Sequence, residues 1–425
     1  MEDTSLRGGG PIKLRNAVAL YASSVLGSGI LVLPGLTAVI AGPASILAWI
    51  FLSVASFPFA ITFASLSTHR TNSVGIYSFT KEALGPHSAT VSGWLFFLWV
   101  ITGAPAVGLV AASYLGYVIH ISRPEMFVAA IAIILCAFVV NYSGIVMSNR
   151  VQLAVIGSII ALLLVTILVS GFHVRLENFV PFFPGGIIPV GMSAALIFWS
   201  FLGYENVSNV AGEFQDPVRD FRKSVYISVI LIGALYIAIS FVTIGTLAYK
   251  RNGGTAPFAA ILSDILGSYA GVATGIIAVF IIFGLVNAYT TGMSRVFYTA
   301  ALDGVFPHVI AHLNGKNRAP DRALILMSGC MIPVFLIYFF FNINLETAFL
   351  ISGGAAIFTY IIGFVSALKL VSADSKIVSI WMPTISLAVS LVLLLFVGVP
   401  LLVSIVVALC ALIYSYYRIG RKPVT

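Results

Sequence analysis

The stretch "LGSGILVLPG", from Leu26 to Gly35, lies inside an apolar segment that is otherwise typical of a membrane-spanning helix. Glycine weakens a helix and an internal proline breaks it, so this stretch predicts an interruption in mid-membrane. An unpaired backbone group in lipid costs several kcal/mol, and unwound backbone is tolerated only where it is buried in protein or lines a cavity. Close helix packing through the small residues Ser24 and Ser28 is the alternative interpretation.

The composition around this stretch is that of a membrane protein. The chain has 425 residues, of which 60% are hydrophobic and 8% charged, and its mean hydropathy is +1.08. Runs of roughly 20 apolar residues predict transmembrane helices. The predicted fold class is an all-α membrane protein with twelve such helices, at about 16–41, 43–66, 88–118, 124–143, 150–171, 189–212, 224–248, 268–299, 323–341, 346–370, 378–396 and 398–417.

The basic residues predict the orientation. Twelve spans place both termini on one side, and all but four of the 22 Lys and Arg residues fall on that side; the exceptions are Arg123, Arg175, Lys250 and Arg251. The positive-inside rule then predicts cytoplasmic termini. The expected location is the plasma (cell inner) membrane, which the chain would cross many times. Because the basic residues are spread over many loops, no nucleic-acid partner is expected.

Enzymatic chemistry is not expected. Cys136, Cys330 and Cys410 fall inside predicted spans and are interpreted as small core residues. No Cys/His/Asp cluster has the spacing of a metal site, and no nucleophile elbow or phosphate-binding loop follows a strand. We therefore expect no catalytic residue, no cofactor and no metal.

A second interruption is predicted in the sixth span. The stretch "AALIFWSFLGYENVSNVAGEF", Ala194 to Phe214, contains Gly203 and, beside it, Glu205. A carboxylate at the centre of a membrane helix costs about 2.5–3.5 kcal/mol on insertion scales, so such residues are usually functional. Glu205 is the candidate for ion coupling. Contact with an ammonium group of the ligand and a structural role as an acceptor for neighbouring backbone are the alternatives.

Two short amphipathic segments indicate an internal repeat. "FTKEALGPH" (Phe79–His87) follows the second span and "AAILSDILGSY" (Ala259–Tyr269) follows the seventh, each with a Leu-Gly pair. A repeated unit of five spans must invert, and interrupted helices at matching positions of inverted halves indicate a transporter site. The predicted organisation is a cytoplasmic segment at 1–15, a first repeat at 16–172, a second repeat at 189–371, two further helices at 377–417 and a cytoplasmic tail at 418–425.

The chemistry of the breaks predicts the ligand. Free N–H groups where a half-helix begins favour an anion, and free C=O groups where a half-helix ends favour a cation. A site with both binds an α-amino acid through its carboxylate and ammonium groups. No Arg, Lys or Asp is assigned to the membrane centre, so a neutral, apolar side chain is expected.

At these residues the sequence resembles the amino acid–polyamine–organocation (APC) transporter superfamily over nearly its whole length. "LGSGILVLP" is similar to the first-helix motif, "FWSFLGYENVSNVAGEFQDPVRDF" to the sixth helix and its loop, and "GMSRVFYTAALDGVFP" (Gly292–Pro307) to the exit of the eighth helix. Within the family, "GWLFFLW" from Gly93 and "NAY" (Asn287–Tyr289) most resemble bacterial exporters of methionine and branched-chain amino acids.

The resemblance implies roles for individual residues. Backbone N–H groups would hold the carboxylate at Ser28, Gly29 and Ile30, and carbonyl groups would hold the ammonium at Val25, Trp199 and Leu202. Trp199 and Tyr289 would wall the substrate path, and Glu205 matches an acidic position. Neighbours in the breaks and the eighth span complete the candidate set: Gly27, Phe201, Gly203 and Asn287.

The implied function is a secondary active transporter of neutral, apolar L-amino acids that works by alternating access. An amino-acid/amine exchanger with another substrate, and a channel, are the alternatives. "QLAVIGSIIALLL" (Gln152–Leu164) lacks the fifth-helix lysine that several family members use for coupling. The mode of coupling therefore stays open between protons, sodium bound at Thr290 and Thr291, and exchange. The particular amino acid, the direction of transport (import or export) and the formation of a homo-oligomer also stay open.

Overall fold

The computed structural model describes residues 25–69, 76–145, 149–204, 219–373 and 378–419, and these residues form helices and connecting turns without a strand. In chain order the α-helices are α1 Leu33–Ala41, α2 Ser45–His69, α3 Ile76–Leu84, α4 Pro86–Leu115, α5 Arg123–Tyr142, α6 Asn149–Gly171, α7 Ile188–Ile197, α8 Arg219–Gly245, α9 Pro257–Leu266, α10 Ser268–Leu302, α11 Asp321–Phe340, α12 Leu345–Ala373, α13 Trp381–Leu395 and α14 Leu401–Ile419.

Nine helical segments in the described part of the chain are long and apolar enough to cross a membrane. One of them, Leu33–Leu66, joins α1 to most of α2, whereas α7, α9 and α13 are shorter apolar helices. The helices differ from the predicted spans mainly at their ends: the third span was expected at 88–118 and α4 is Pro86–Leu115. The all-helical membrane architecture is confirmed, and the count of twelve spans stays a prediction.

The first predicted interruption is present. The helical conformation stops at Val25, and Gly27 is extended with φ −102° and ψ −168°. A single 3₁₀ turn follows at Ser28–Leu31 before α1 begins. Pro34 occupies the first turn of α1, where its missing N–H costs nothing because that group has no partner inside a helix. The Gly-Ser-Gly and Pro residues therefore mark the two edges of the break.

The second break is seen at the end of α7. A 3₁₀ turn at Phe198–Phe201 leads to Leu202, which is extended, and to Gly203 with φ +117°, a conformation that L side chains rarely adopt. The backbone direction therefore changes at Gly203. The coupling candidate Glu205 lies outside the described residues.

Aromatic packing fixes the turn at Phe198–Phe201. Phe198 makes edge-to-face contacts with Phe59 of α2 and Tyr360 of α12, at centroid distances of 6.0 and 5.2 Å. Phe201 lies 6.4 Å from Trp49 of α2. These rings are fully buried, so the second break is supported by a rigid apolar layer.

The two short amphipathic helices are confirmed as α3 and α9, and they end alike. Gly85 has φ +89° and ψ 178°, and Gly267 has φ +94° and ψ 168°. Each glycine also precedes the first residue of a long helix, α4 or α10. A Cβ would meet no atom within 4 Å at either position; glycine is therefore required there by backbone conformation and not by space.

At the end of the molecule predicted to be external, the backbone of α1 contacts the backbone of a turn. A Cβ on Gly35 of α1 would lie only 2.1 Å from the carbonyl oxygen of Gly254, in the turn before α9. Nearby, Arg251 and Asp264 form an ion pair of 2.9 Å. Side chains cannot enter between α1 and this turn.

At the end of the molecule predicted to be cytoplasmic, side chains of α3 and α14 form hydrogen bonds to the turn after α10. Tyr77 of α3 donates a hydrogen bond of 3.0 Å to Asp303, directly after α10. Arg418, near the end of α14, donates to the carbonyl oxygens of Gly304 and Phe306 at 2.6 and 2.7 Å. The turn after α10 is thus held from two sides.

The cysteine interpretation is wrong in part. Cys136 and Cys410 are exposed on their helices and Cys330 is half-buried, and all three are free. In a membrane protein an apolar residue within a span is equally suited to the lipid and to the core, so hydropathy alone did not separate the two.

Candidate binding site

A cavity of about 90 Å³ lies between the two breaks. Its lining includes Val25, Gly27 and Ser28 of the first break and Trp199 and Leu202 of the second. One water molecule needs roughly 10–15 Å³ of such space. The cavity therefore holds several, a number comparable with the non-hydrogen atoms of a small amino acid.

Apolar side chains of α4 form one wall. Val100, Ala104 and Val107 follow helical spacing and line the cavity together with Trp99. The Trp99 indole meets Trp199 edge-to-face, with ring centroids 6.4 Å apart. The two indoles therefore connect the second break to this wall.

Helices α10 and α11 form the rest of the lining. No residue among the described ones that line the cavity carries a formal charge. The polar side chains there are hydroxyls, from Ser28, Tyr289 and Thr290. The remaining lining residues are apolar, namely Leu285, Val286, Met293, Met327 and Met331. The walls suit an uncharged, apolar side chain.

The first break offers backbone N–H groups. A 3₁₀ turn that begins at Ser28 leaves the N–H groups of its first residues without an acceptor inside the turn. The far end of the turn is fixed, because the Tyr114 hydroxyl of α4 donates to the Leu31 carbonyl oxygen at 2.6 Å. N–H groups that point out of the start of a helical turn are suited to an anion.

The two breaks share one hydroxyl. Tyr236 of α8 lies 3.1 Å from the carbonyl oxygen of Val25 and 3.1 Å from that of Ser200. Its ring contacts Trp49 and Phe201 edge-to-face. A hydroxyl has one proton, so the two carbonyl groups share a single donor and keep acceptor capacity for a cation.

Gly29 and Ile30 do not line the cavity. A Cβ on Gly29 would lie 2.5 Å from the Ser200 Oγ and 2.8 Å from the Trp199 Cδ1, so glycine is required for the two breaks to approach each other. The Ile30 side chain is fully buried. Their predicted role uses backbone N–H groups, which this packing leaves possible.

Of the candidate residues in the second break that the structure describes, some line the cavity and others hold the backbone of the break in place. Trp199 and Leu202 line the cavity, whereas the fully buried Phe201 packs behind it. Gly203 supplies the turn of the backbone.

Asn287 contacts another helix. Asn141 of α5 donates its side-chain amide to the Asn287 Oδ1 at 2.8 Å, and Asn287 is not among the lining residues. The Thr291 hydroxyl donates to the Asn141 Oδ1 or to the Asn287 carbonyl oxygen. Of the polar candidates on α10, Tyr289 and Thr290 do line the cavity. Among the described residues no group of three or more His, Cys, Asp or Glu could hold a metal ion.

Sequence reasoning missed several contributors. Tyr236 is one tyrosine in an apolar span, and nothing in the sequence pairs it with either break. Met327 and Met331 are four residues apart in an apolar helix, a spacing that fits a lipid-facing surface as well as a cavity wall. The spacing of Val100, Ala104 and Val107 was the signal that an apolar face existed on α4.

The sequence matches known proteins over most of its length. The family model described as "Amino acid permease" matches residues 12–416. The uncharacterized amino acid permease YecA of Bacillus subtilis (strain 168) is 32% identical over 404 residues, 95% of each chain. The L-methionine/branched-chain amino acid exporter YjeH of Escherichia coli (strain K12) is 28% identical over 371 residues, 86% of this chain and 88% of the relative. The branched-chain amino acid permease BcaP of Bacillus subtilis (strain 168) is 26% identical over 368 residues, 80% of this chain and 78% of the relative.

Proposed function

The chain belongs to the amino acid permease family of the APC superfamily, and from that premise we propose that it is a secondary active transporter of neutral, apolar L-amino acids. Transport proceeds by alternating access, in which the cavity between the two breaks opens to one side at a time. The names of the exporter YjeH and the permease BcaP, which refer to methionine and branched-chain amino acids, support this substrate class.

The cavity between the breaks carries the proposal. Its backbone groups at Val25, Ser28 and Leu202 suit the two charges of an α-amino acid, and its uncharged walls suit an apolar side chain. A charged substrate side chain would lose its hydration there without gaining a partner among the described lining residues, which is unfavourable. A zwitterion with an apolar side chain therefore fits best.

The proposed architecture is twelve spans, with inverted repeats at 16–172 and 189–371 and both termini in the cytoplasm. The like backbone angles at Gly85 and Gly267 support matching units. Contacts support the topology too, because segments predicted on the same side meet, as in the pairs Gly35–Gly254 and Tyr77–Asp303. The plasma membrane is the proposed location.

The proposed coupling ion is the proton, carried by Glu205. A carboxylate predicted at membrane depth titrates readily when its environment changes between states. For the sodium alternative, Thr290 and Thr291 would supply hydroxyl oxygens. The Thr291 hydroxyl already binds Asn141 and the backbone of Asn287, which makes this pair the weaker candidate.

Transport into liposomes tests the function. The purified protein in lipid vesicles should take up labelled leucine and methionine saturably, and unlabelled substrate inside should accelerate entry by counterflow. Gly29→Val in the same vesicles is the control, because a Cβ at Gly29 collides with Ser200 and Trp199. Unsaturable flux would identify a channel, and no flux or binding of any neutral amino acid would contradict the proposal.

A further inference from the structure

Methionine is concentrated at the cavity. The chain contains eight methionines, and three of them, Met293, Met327 and Met331, line this one small cavity. All three are buried, with exposed fractions of 6%, 1% and 2%. A methionine side chain is unbranched and polarisable, and it adapts to apolar partners of different shapes. This enrichment indicates a wall built for an apolar ligand group.

Met327 and Met331 lie on the part of the cavity formed by α11. They are one helical turn apart and so face the same side of that helix. The 3₁₀ turn Ser28–Leu31 packs against α4 and α10, and α11 packs against the same two helices. The cavity therefore reaches from the backbone break past α4 and α10 to α11. A ligand held by its charged groups at the break would therefore have its side chain between the break and these methionines.

We infer that Met327 and Met331 determine specificity, forming the end of the compartment for the substrate side chain and favouring long, flexible apolar side chains. This inference rests on the proposed function. We expect methionine and leucine to fill the compartment, alanine to leave part of it empty, and phenylalanine to be disfavoured. One methylene group in an apolar pocket changes selectivity by roughly 10-fold or more, so the two side chains are sufficient to set a preference.

Competition in the reconstituted protein tests the inference. Labelled leucine is bound to wild type, Met327→Ala and Met331→Ala, and its displacement by unlabelled methionine, alanine or phenylalanine is measured to give relative affinities. The truncations enlarge the compartment, so the affinity for phenylalanine relative to methionine should rise roughly 10-fold. Met331→Phe fills the compartment, so the affinity for methionine and leucine should fall roughly 10-fold, whereas the affinity for alanine should be retained. An unchanged affinity ratio in these variants would overturn the inference.

Met382→Ala is the matched control. Met382 lines a separate apolar groove between α2, α8 and α13, so its truncation should leave the affinity ratios unchanged. If an alanine variant does not fold, Met327→Leu and Met331→Leu conserve volume and should retain leucine binding while the preference for methionine over leucine changes. Wild type that binds no neutral amino acid would refute the proposed function itself, whereas wild type that binds them, with variants of unchanged selectivity, would refute only the role of these residues.

Discussion

The hydroxyl of Tyr236 lies 3.1 Å from the carbonyl oxygen of Val25, the residue at which the first interrupted helix stops. The Ser200 carbonyl oxygen, in the second break, lies at the same distance. Because a single phenol proton faces both acceptors, Tyr236 connects the two halves of the site and leaves part of their negative potential available to a ligand.

Tyr236→Phe should weaken substrate binding in a folded protein, because the carbonyl groups of Val25 and Ser200 lose the hydroxyl that links the two breaks. Loss of one buried hydrogen bond costs about 1 kcal/mol, and we expect substrate affinity to fall roughly fivefold. Tyr338→Phe is the control, since that buried phenol donates to the Thr102 carbonyl oxygen at 3.2 Å and is not among the lining residues. Calorimetric titration with leucine would contradict the role if both variants bound equally well.

Two glycines of the first break should respond differently to alanine. At Gly29 a Cβ would lie 2.5 Å from the Ser200 Oγ, whereas at Gly27 its nearest neighbour would be 3.8 Å away. Gly29→Ala should reduce binding at least 10-fold by separating the breaks, because the clash costs on the order of 1–3 kcal/mol. Gly27→Ala, whose Cβ would meet no atom closer than 3.8 Å, should leave the approach of the two breaks intact and should reduce binding less than Gly29→Ala does. Equal effects in a binding assay would mean that the approach of the two breaks is unimportant.

Gly103 should control the position of Trp199. A Cβ on Gly103 would lie 2.3 Å from the Trp199 indole and 2.7 Å from the Ser352 Oγ. Gly103→Ala should displace the indole and change which side chains are accepted, measured as the ratio of leucine to phenylalanine inhibition. Gly329→Ala on α11 is the control, because its Cβ would meet nothing within 4 Å. Unchanged inhibition ratios in Gly103→Ala would contradict this positioning role.

The Tyr77–Asp303 contact predicts a pH dependence. Burial, followed by the Asp303 charge and hydrogen bond, raises the pKa of the Tyr77 phenol well above its ordinary value. A raised folded-state pKa means that the stabilisation is complete below about pH 10, the ordinary tyrosine pKa, and is lost as pH rises further. Tyr77→Phe should cost about 1 kcal/mol at neutral pH, and this difference in thermal stability should shrink above about pH 10. A difference in thermal stability that does not depend on pH would contradict the role of the Tyr77–Asp303 contact. Asp303→Asn keeps a hydrogen-bond acceptor, so its thermal stability at neutral pH should lie between those of wild type and Tyr77→Phe.

Glu205→Gln tests the coupling proposal. The amide cannot carry a proton, so accumulation driven by a pH gradient should be lost while exchange of internal for external substrate continues. Replacement of sodium by choline is the parallel measurement, and it should change nothing. Full pH-driven accumulation in Glu205→Gln would show that the carboxylate has another role.

The sequence was most informative where local chemistry decides the backbone. Gly27, Pro34 and Gly203 predicted both breaks, because glycine and proline restrict or release backbone angles whatever surrounds them. The sequence was least informative about which side chains contact each other in the folded protein. For Asn287 the sequence left substrate contact and a hydrogen bond between helices equally open, because the choice depends on how α5 and α10 face each other; the side chain of Asn287 accepts from Asn141. The methionine wall could not be predicted, because lipid and a dry cavity select the same apolar residues.

The contact of Gly35 with Gly254 has a kinetic consequence. Side-chain gates open by rotamer changes, which take picoseconds to nanoseconds, but here two backbones touch and there is no side chain to rotate aside. Under the proposed alternating access, opening the cavity toward this side would require α1 or the neighbouring turn to move as a body, and such motions take microseconds to milliseconds. We therefore expect turnover in that direction to follow the separation of these two packed segments, and cooling should slow it more than it slows binding.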